Sequence, residues 1–277
     1  MMMMRRPEGA VDIHTHILPG MDDGAEDLGE SVAMGRLAAE HGTAIMVATP
    51  HMDFAGAKRG ACAEGARKAD LVRRNTGILA TALAASGLPV EVLPGMEIAI
   101  DPDLLSIIEA GEAVTIADSG KYVLVELPFG QLPGYTEKVM FDLSSAGYVP
   151  VIAHPERNAE IANDPNRMFS LVRAGAIGQL DAGSLAGELG RATRRAAEAL
   201  LRHGLAHVIA SDGHSPSFRP CRLDRAFAAA ARLVGDSSAL CAVRDLPRAI
   251  VRGEAVRLED PEKYAPRRWF LFGRMAI

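Results

Sequence analysis

Short, mostly apolar runs alternate along this chain with longer stretches in which apolar residues recur every three or four positions. The runs fall at 44–48, 90–93, 122–125, 149–153, 176–180 and 206–210, and an extended segment around Asp12–His16 precedes them. A continuous apolar run bounded by polar or turn residues is the mark of a strand buried on both faces of a parallel sheet. Between the runs, Asp27-Leu28-Gly29-Glu30 has the form of a helix N-cap with an acidic residue three positions later. The apolar residues Val32, Met34, Leu37 and Ala38 carry that helix on to His41-Gly42. Further helices are expected at about 63–86, 101–110, 136–146, 165–174, 187–203, 222–234 and 246–251.

Strands alternating with helices, and no linker-like composition between them, predict a single α/β domain. The placement of polar residues favours a closed, distorted (β/α)7 barrel over a doubly wound sheet. His14, His16, His51, Glu97, Glu126, His154, Asp212 and His214 all stand at or just past the carboxyl ends of expected strands. A doubly wound sheet gathers residues only at its switch point, whereas a ring of strands brings every strand end to one place. The expected organisation is a flexible N-terminus at 1–9, the barrel at 10–255 and a C-terminal extension at 256–277.

Composition narrows the function. The 277 residues are 48% hydrophobic and 23% charged, enough for a full core, and the formal charge of −5 gives no electrostatic case for nucleic acid. Cys62, Cys221 and Cys241 are odd in number and lack a C-x-x-C spacing, which argues against a disulfide framework or zinc knot and suits a reducing compartment. No stretch reads as a signal peptide or a membrane span, so a cytoplasmic location is expected.

The candidate chemistry starts at Asp12-Ile13-His14-Thr15-His16. Two histidines one residue apart on an extended segment point to the same side and can reach one ion. Thr49-Pro50-His51, Met96-Glu97, Val125-Glu126, Ala153-His154 and Ser211-Asp212-Gly213-His214 add to it. Imidazoles and carboxylates without thiolate suit manganese, iron or zinc. One ion takes four to six donors, so roughly seven to nine converging donors imply two or three divalent ions, an arrangement suited to phosphate-ester hydrolysis. Arg157 and Arg219 each lie a few residues past a donor, and planar guanidinium groups match phosphoryl oxygens bidentately.

The stretches DIHTHILPGMDDG (12–24), ATPH (48–51), GMEI (95–98), VELP (125–128), IAHPERN (152–158), QLDAGSL (179–185) and IASDGH (209–214) with Arg219-Pro220 resemble the polymerase-and-histidinol-phosphatase superfamily. Within it they are similar to the CpsB/CapC-type tyrosine phosphatases of bacterial capsule and exopolysaccharide synthesis. That resemblance implies a distorted seven-stranded barrel and a trinuclear centre holding manganese or iron. It also implies hydrolysis of phosphotyrosine on a partner tyrosine kinase that governs polysaccharide chain length. Carried over by motif, His14, His16, Glu97 and Asp212 hold one ion, Glu97 bridges to a second with Glu126 and His154, and Asp23, His51 and His214 hold a third. Asp22 stands as the alternative to Asp23, and Arg157 and Arg219 hold the phosphate.

Two other functions stay open at this stage: a small-molecule phosphatase of the histidinol-phosphate kind, and a metal-bearing regulatory domain without turnover. Homo-oligomerisation is also left open. The loop 52–60, which departs from the family pattern, is expected to shape the substrate mouth, and the basic, aromatic 267–272 to pack on the barrel. Plainer readings apply elsewhere. His41 and His203 precede glycines at helix ends and suit the negative end of the dipole, His207 reads as structural, and Arg157 could pair with Glu156 or Glu160.

Overall fold

The computed structural model describes residues 6–52 and 62–265. Among the described residues nine parallel strands, β1 (Ala10–Thr15), β2 (Thr43–Ala48), β3 (His51–Met52), β4 (Glu91–Pro94), β5 (Glu97–Ala99), β6 (Tyr122–Glu126), β7 (Val149–Ala153), β8 (Ile177–Asp181) and β9 (Val208–Ala210), form two hydrogen-bonded sheets. Their orders are β1-β2-β4 and β3-β5-β6-β7-β8-β9. The two sheets share staves, because β3 continues β2 beyond Thr49-Pro50 and β5 continues β4 beyond Pro94-Gly95. Proline donates no hydrogen bond to a ladder, so pairing lapses at these points and resumes with the same neighbour, His51 against Glu97.

The circuit closes between β9 and β1. Thr15 bridges Gly213 in parallel, His16 N donates to Gly213 O at 2.8 Å and Asp212 N to His14 O at 3.0 Å. Seven staves therefore run round a distorted ring, as the strand-end argument anticipates. Its irregularity is visible in β1, whose pairing with β2 shifts register between Ala10 and Val11 and again between Asp12 and Thr15.

Period-two alternation sorts the strand residues into two cores. Val11, Ile13, Tyr122, Leu124, Val151, Ala153, Ile177, Val208 and Ala210 pack together inside the ring. Ile98, Val123, Val125, Ile152, Leu180 and Ile209 face the other way, onto helix residues such as Met34, Leu83, Leu143, Leu171 and Leu200. Glu126 and Gln179 share the inward parity of Leu124 and Ile177, so both point into the ring.

The helices are α1 (Leu28–Glu40), α2 (Cys62–Ala85), α3 (Leu104–Glu109), α4 (Thr136–Ser145), α5 (Ala159–Asn163), α6 (Asn166–Arg173), α7 (Ala182–Ala186), α8 (Arg191–Arg202), α9 (Asp224–Val234), α10 (Asp236–Leu240) and α11 (Leu246–Val251). Asp27 caps α1, its side chain accepting from Glu30 N at 2.9 Å. The helix expected from about 187 starts later: Gly187 and Gly190 take φ of +86° and +95°, the first ending a separate short helix α7 and the second delaying α8 to Arg191.

Residues 253–264 cross the opposite pole of the ring. Lys121 Nζ donates to Gly253 O at 3.0 Å, Tyr122 OH to Glu254 O at 2.5 Å and Glu262 N to His203 O at 2.8 Å. At the other end of the chain Gly9 O accepts from Arg248 Nη2 at 2.7 Å. The loop expected at the substrate mouth (its residues 53–60), the 267–272 tail and the side chain of Cys62 lie outside the described residues.

Candidate metal centre

Four donors meet at the carboxyl end of β1. His14 Nε2 and His16 Nε2 are 3.2 Å apart. Glu97 Oε2 lies 3.2 Å from the first and 3.4 Å from the second, and Asp212 Oδ1 lies 3.4 and 3.2 Å from them. Tetrahedral donors around an ion at about 2.0–2.2 Å stand about 3.3–3.6 Å from one another. The spacing fits a cation. Glu97 Oε2 and Asp212 Oδ1 are also buried without a hydrogen-bond partner, and buried carboxylate oxygens are not left so without a compensating charge.

The imidazoles are fixed from behind. His14 Nδ1 lies 2.8 Å from Gln179 Oε1, and the amide orientation is set because Gln179 Nε2 donates to Leu180 O. An amide oxygen only accepts, so Nδ1 carries the proton and Nε2 keeps its lone pair for the centre. Asp22 Oδ2, 2.7 Å from His16 Nδ1, does the same for His16. The main-chain oxygen of Asp212, 2.8 Å from His214 Nδ1, does it for His214.

Asp22 and Asp23 thereby take different places. Asp22 also accepts from Gly24 N and His51 N at 3.0 Å each. Burial raises its pKa, but His16 and these amides outweigh that and hold the carboxyl down at about 2. Asp23 Oδ1 stands 3.5 Å from both His51 Nε2 and His214 Nε2. The loop can fold back this closely because residue 24 is glycine; a Cβ there would meet His16 O at 2.0 Å.

Donors of His16, Asp23, His51 and His214 thus form a second group, the sequence-implied trio with His16 added. In a third, His154 Nε2 lies 2.8 Å from Glu97 Oε1 and 3.9 Å from Glu126 Oε1. Burial lowers the His154 pKa, yet the Glu97 carboxylate raises it to about 9. His154 also groups with His14 and Asp212, and His51 departs from the implied grouping as well. Its Nδ1 faces Glu97 Oε2 at 3.0 Å and Glu126 Oε2 at 3.7 Å while its Nε2 faces Asp23, and a neutral imidazole has one lone pair to give. Glu97 turns Oε2 toward His14 and His16 and Oε1 toward His154.

Arg157 Nη1 donates to Asp212 Oδ2 at 2.8 Å and lies 3.6 Å from Asp181 Oδ2. Arg219 Nη2 donates to the same Asp212 oxygen. The plainer alternative for Arg157, an ion pair with Glu156 or Glu160, does not occur: Glu160 takes Arg167, and Glu156 Oε1 accepts from Asp181 N at 2.9 Å. His154, Asp212 and Arg219 all have positive φ, +30°, +50° and +54°. Such strain, on the order of 1–3 kcal/mol each, collects at functional sites.

Gln179, Asp181 and Phe129 are the participants that sequence reasoning assigns no role. Gln179 has a signal in hindsight, an amide inside an otherwise apolar strand. Asp181 is buried beside Asp212, and burial first, then that charge, raises its pKa to about 6. His41, His203 and His207 stay outside the centre. His41 lies 3.3 Å from Asp224 Oδ2, His203 Nδ1 bonds Ala199 O at 2.8 Å and His207 Nδ1 accepts from Gly178 N at 3.2 Å.

Residues 10–252 match the family model for capsular polysaccharide synthesis proteins CpsB/CapC. The chain belongs to the CpsB/CapC family. It is 39% identical over 209 residues to tyrosine-protein phosphatase YwqE of Bacillus subtilis (strain 168), covering 76% of this chain and 79% of that one. It is 34% identical over 217 residues to the putative tyrosine-protein phosphatase CapC of Staphylococcus aureus, covering 78% and 82%. A chain from the crystal structures of YwqE and of Streptococcus pneumoniae CpsB, described as metal-dependent tyrosine phosphatases, superposes with a TM-score of 0.84 at 33% identity, covering 92% of this chain and 99% of that one. A β-aspartyl dipeptidase from Fervidobacterium islandicum AW-1, at 15% identity, a TM-score of 0.52 and coverage of 88% and 72%, shares the fold alone. Among the described residues no helix is long and apolar enough to cross a membrane.

Proposed function

We propose that this CpsB/CapC chain is a metal-dependent protein-tyrosine phosphatase. Its physiological substrate would be a phosphotyrosine protein, in this reading the tyrosine kinase that controls polysaccharide chain length, met in the cytoplasm. The observation that carries the proposal is the gathering of His14, His16, Asp23, His51, Glu97, Glu126, His154, Asp212 and His214 into overlapping donor groups around buried, unpartnered carboxylate oxygens. Two or three divalent ions, manganese or iron in this reading, suit that hard-to-borderline set. When bound, such ions make water nucleophilic at neutral pH and offset charge on the phosphoryl oxygens.

The protein's own share is positioning. Gln179, Asp22 and the Asp212 carbonyl orient three imidazoles. Arg157 and Arg219, forks resting on Asp212, grip the phosphoryl oxygens and strengthen as charge develops on them. The complete donor set favours this reading over a regulatory domain without turnover. Turnover of a phosphotyrosine peptide against histidinol phosphate, with manganese-replete protein before and after chelation, tests the reading. Chelator-sensitive hydrolysis of the peptide is expected. Hydrolysis of histidinol phosphate alone would replace it with the small-molecule reading.

A further inference from the structure

We propose that Phe129 is the platform for the substrate's aromatic ring and so selects aryl over alkyl phosphates. The inference rests on the phosphotyrosine reading and adds the residue that recognises the ester's organic half. Large apolar side chains exposed among the described residues include Leu28, Ile78, Phe129, Tyr135, Phe141 and Phe218, and Phe129 is set apart by what it touches. Its ring lies 4.7 Å beneath the Arg157 guanidinium carbon, and its centroid is 5.9 Å from that of His154. It therefore borders both a phosphate-gripping residue and a member of the metal centre.

The position is held by the main chain. Ala159 N donates to Phe129 O at 2.7 Å, and Asn158 Nδ2 donates to Pro128 O at 2.6 Å, fastening residues 128–129 to the loop that carries His154 and Arg157. Glu160 Oε2 adds a bond from Leu132 N at 3.0 Å. The main chain that carries the ring is anchored, and the ring itself, 52% exposed, is presented to solvent beside Arg157. Were bracing Arg157 its whole task, it could lie buried behind the guanidinium.

In phosphotyrosine one bridging oxygen separates the phosphorus from the phenyl ring. A phosphoryl group gripped by Arg157, whose guanidinium carbon stands 4.7 Å from the Phe129 ring, leaves the phenyl ring free to turn toward Phe129 and come within the centroid range of about 4.5–7 Å over which offset or edge-to-face aromatic pairs attract. Phosphoserine places a methylene there, too small to reach Phe129 or to gain from its quadrupole. Arg157 stacked on the same ring ties phosphate recognition to ring recognition.

The test uses the full, metal-loaded chain and two readouts. Calorimetry compares phenylphosphonate with methylphosphonate, and kinetics compares phosphotyrosine with phosphoserine in one peptide sequence, for the natural chain, Phe129→Ala and Phe129→Leu. Leucine keeps apolar bulk under Arg157 and guards against a collapse of the loop. Both variants should lose the preference for the phenyl probe, and for phosphotyrosine in kcat/KM, by about 3- to 10-fold, the worth of one aromatic pair. An equal fall for both probes, with the ratio unchanged, would overturn the proposal and leave Phe129 as a brace for Arg157. Phe129-dependent preference for phenylphosphonate without hydrolysis of phosphotyrosine would uphold the ring site and refute the phosphatase reading instead. Hydrolysis of phosphotyrosine with a selectivity indifferent to Phe129 would do the reverse.

Discussion

Gln179, buried on β8, places its amide oxygen 2.8 Å from Nδ1 of His14, a residue 165 positions away on β1. The bond fixes the imidazole's tautomer and aims its Nε2 at the group formed with His16, Glu97 and Asp212. Replacing Gln179 by leucine, of similar volume, leaves His14 free to rotate or to take the other tautomer. Metal affinity should fall about 10- to 100-fold, as for other outer-sphere partners of ligating histidines, with most activity regained at saturating metal. Competition against a fluorescent chelator measures it. An unchanged affinity would show that Gln179 merely fills space.

The arginines and the donors should separate by readout. Arg219→Ala removes one fork, and turnover should fall by roughly 100- to 1000-fold, about 2.7–4 kcal/mol, with metal content unchanged. Arg157 still meets Asp212 Oδ2 at 2.8 Å, so the aspartate keeps a partner. Arg219→Lys should recover little, since an ammonium offers a point charge and no fork. His154→Ala takes away a group 2.8 Å from Glu97, and both metal content and rate should fall. An Arg219→Ala protein that emerges metal-free would make that arginine a part of the centre's scaffold.

His207 gives a prediction about stability and pH. Burial lowers its pKa from the ordinary 6.5 to about 4, against a smaller opposing main-chain bond. The folded protein therefore takes up this proton less readily than the unfolded chain. The sign follows: stability is undiminished above about pH 6.5 and declines as the pH falls toward 4, by up to about 3 kcal/mol from this group. Asparagine can keep an acceptor for Gly178 N without titrating. Unfolding midpoints of His207→Asn between pH 7 and 4.5 should show a shallower acid-side decline than the natural chain. Parallel curves would exclude His207 as a source of acid sensitivity.

Several strand-end donors were legible because they follow runs that read as buried strands. Glu126 after Tyr122-Val123-Leu124-Val125 is the clearest instance. The breaks in two staves were not, since Thr49-Pro50 and Pro94-Gly95 read as strand ends, while in three dimensions the chain keeps its direction and pairs again at His51 and Glu97. The resting partner of the arginines was hidden for a different reason. Arg157 and Asp212 are 55 positions apart, and Arg219 folds back on Asp212 through a left-handed backbone at φ +54° that no local pattern announces. The motif match suggested Asp23 over Asp22 as a donor, but the role of Asp22 behind His16 depends on a fold-back that Gly24 permits. His51 reaches two groups at once, a geometry that spacing alone does not encode.

The central claim is that these donors form a multinuclear centre on which phosphotyrosine hydrolysis depends. Its most direct measurement is the number of ions per active chain: protein stripped by chelator, titrated with manganese, and assayed on a phosphotyrosine peptide while bound metal is counted by elemental analysis. The predicted result is no activity without metal and full activity at two to three ions per chain. Full activity in a preparation holding less than one ion per chain would contradict it.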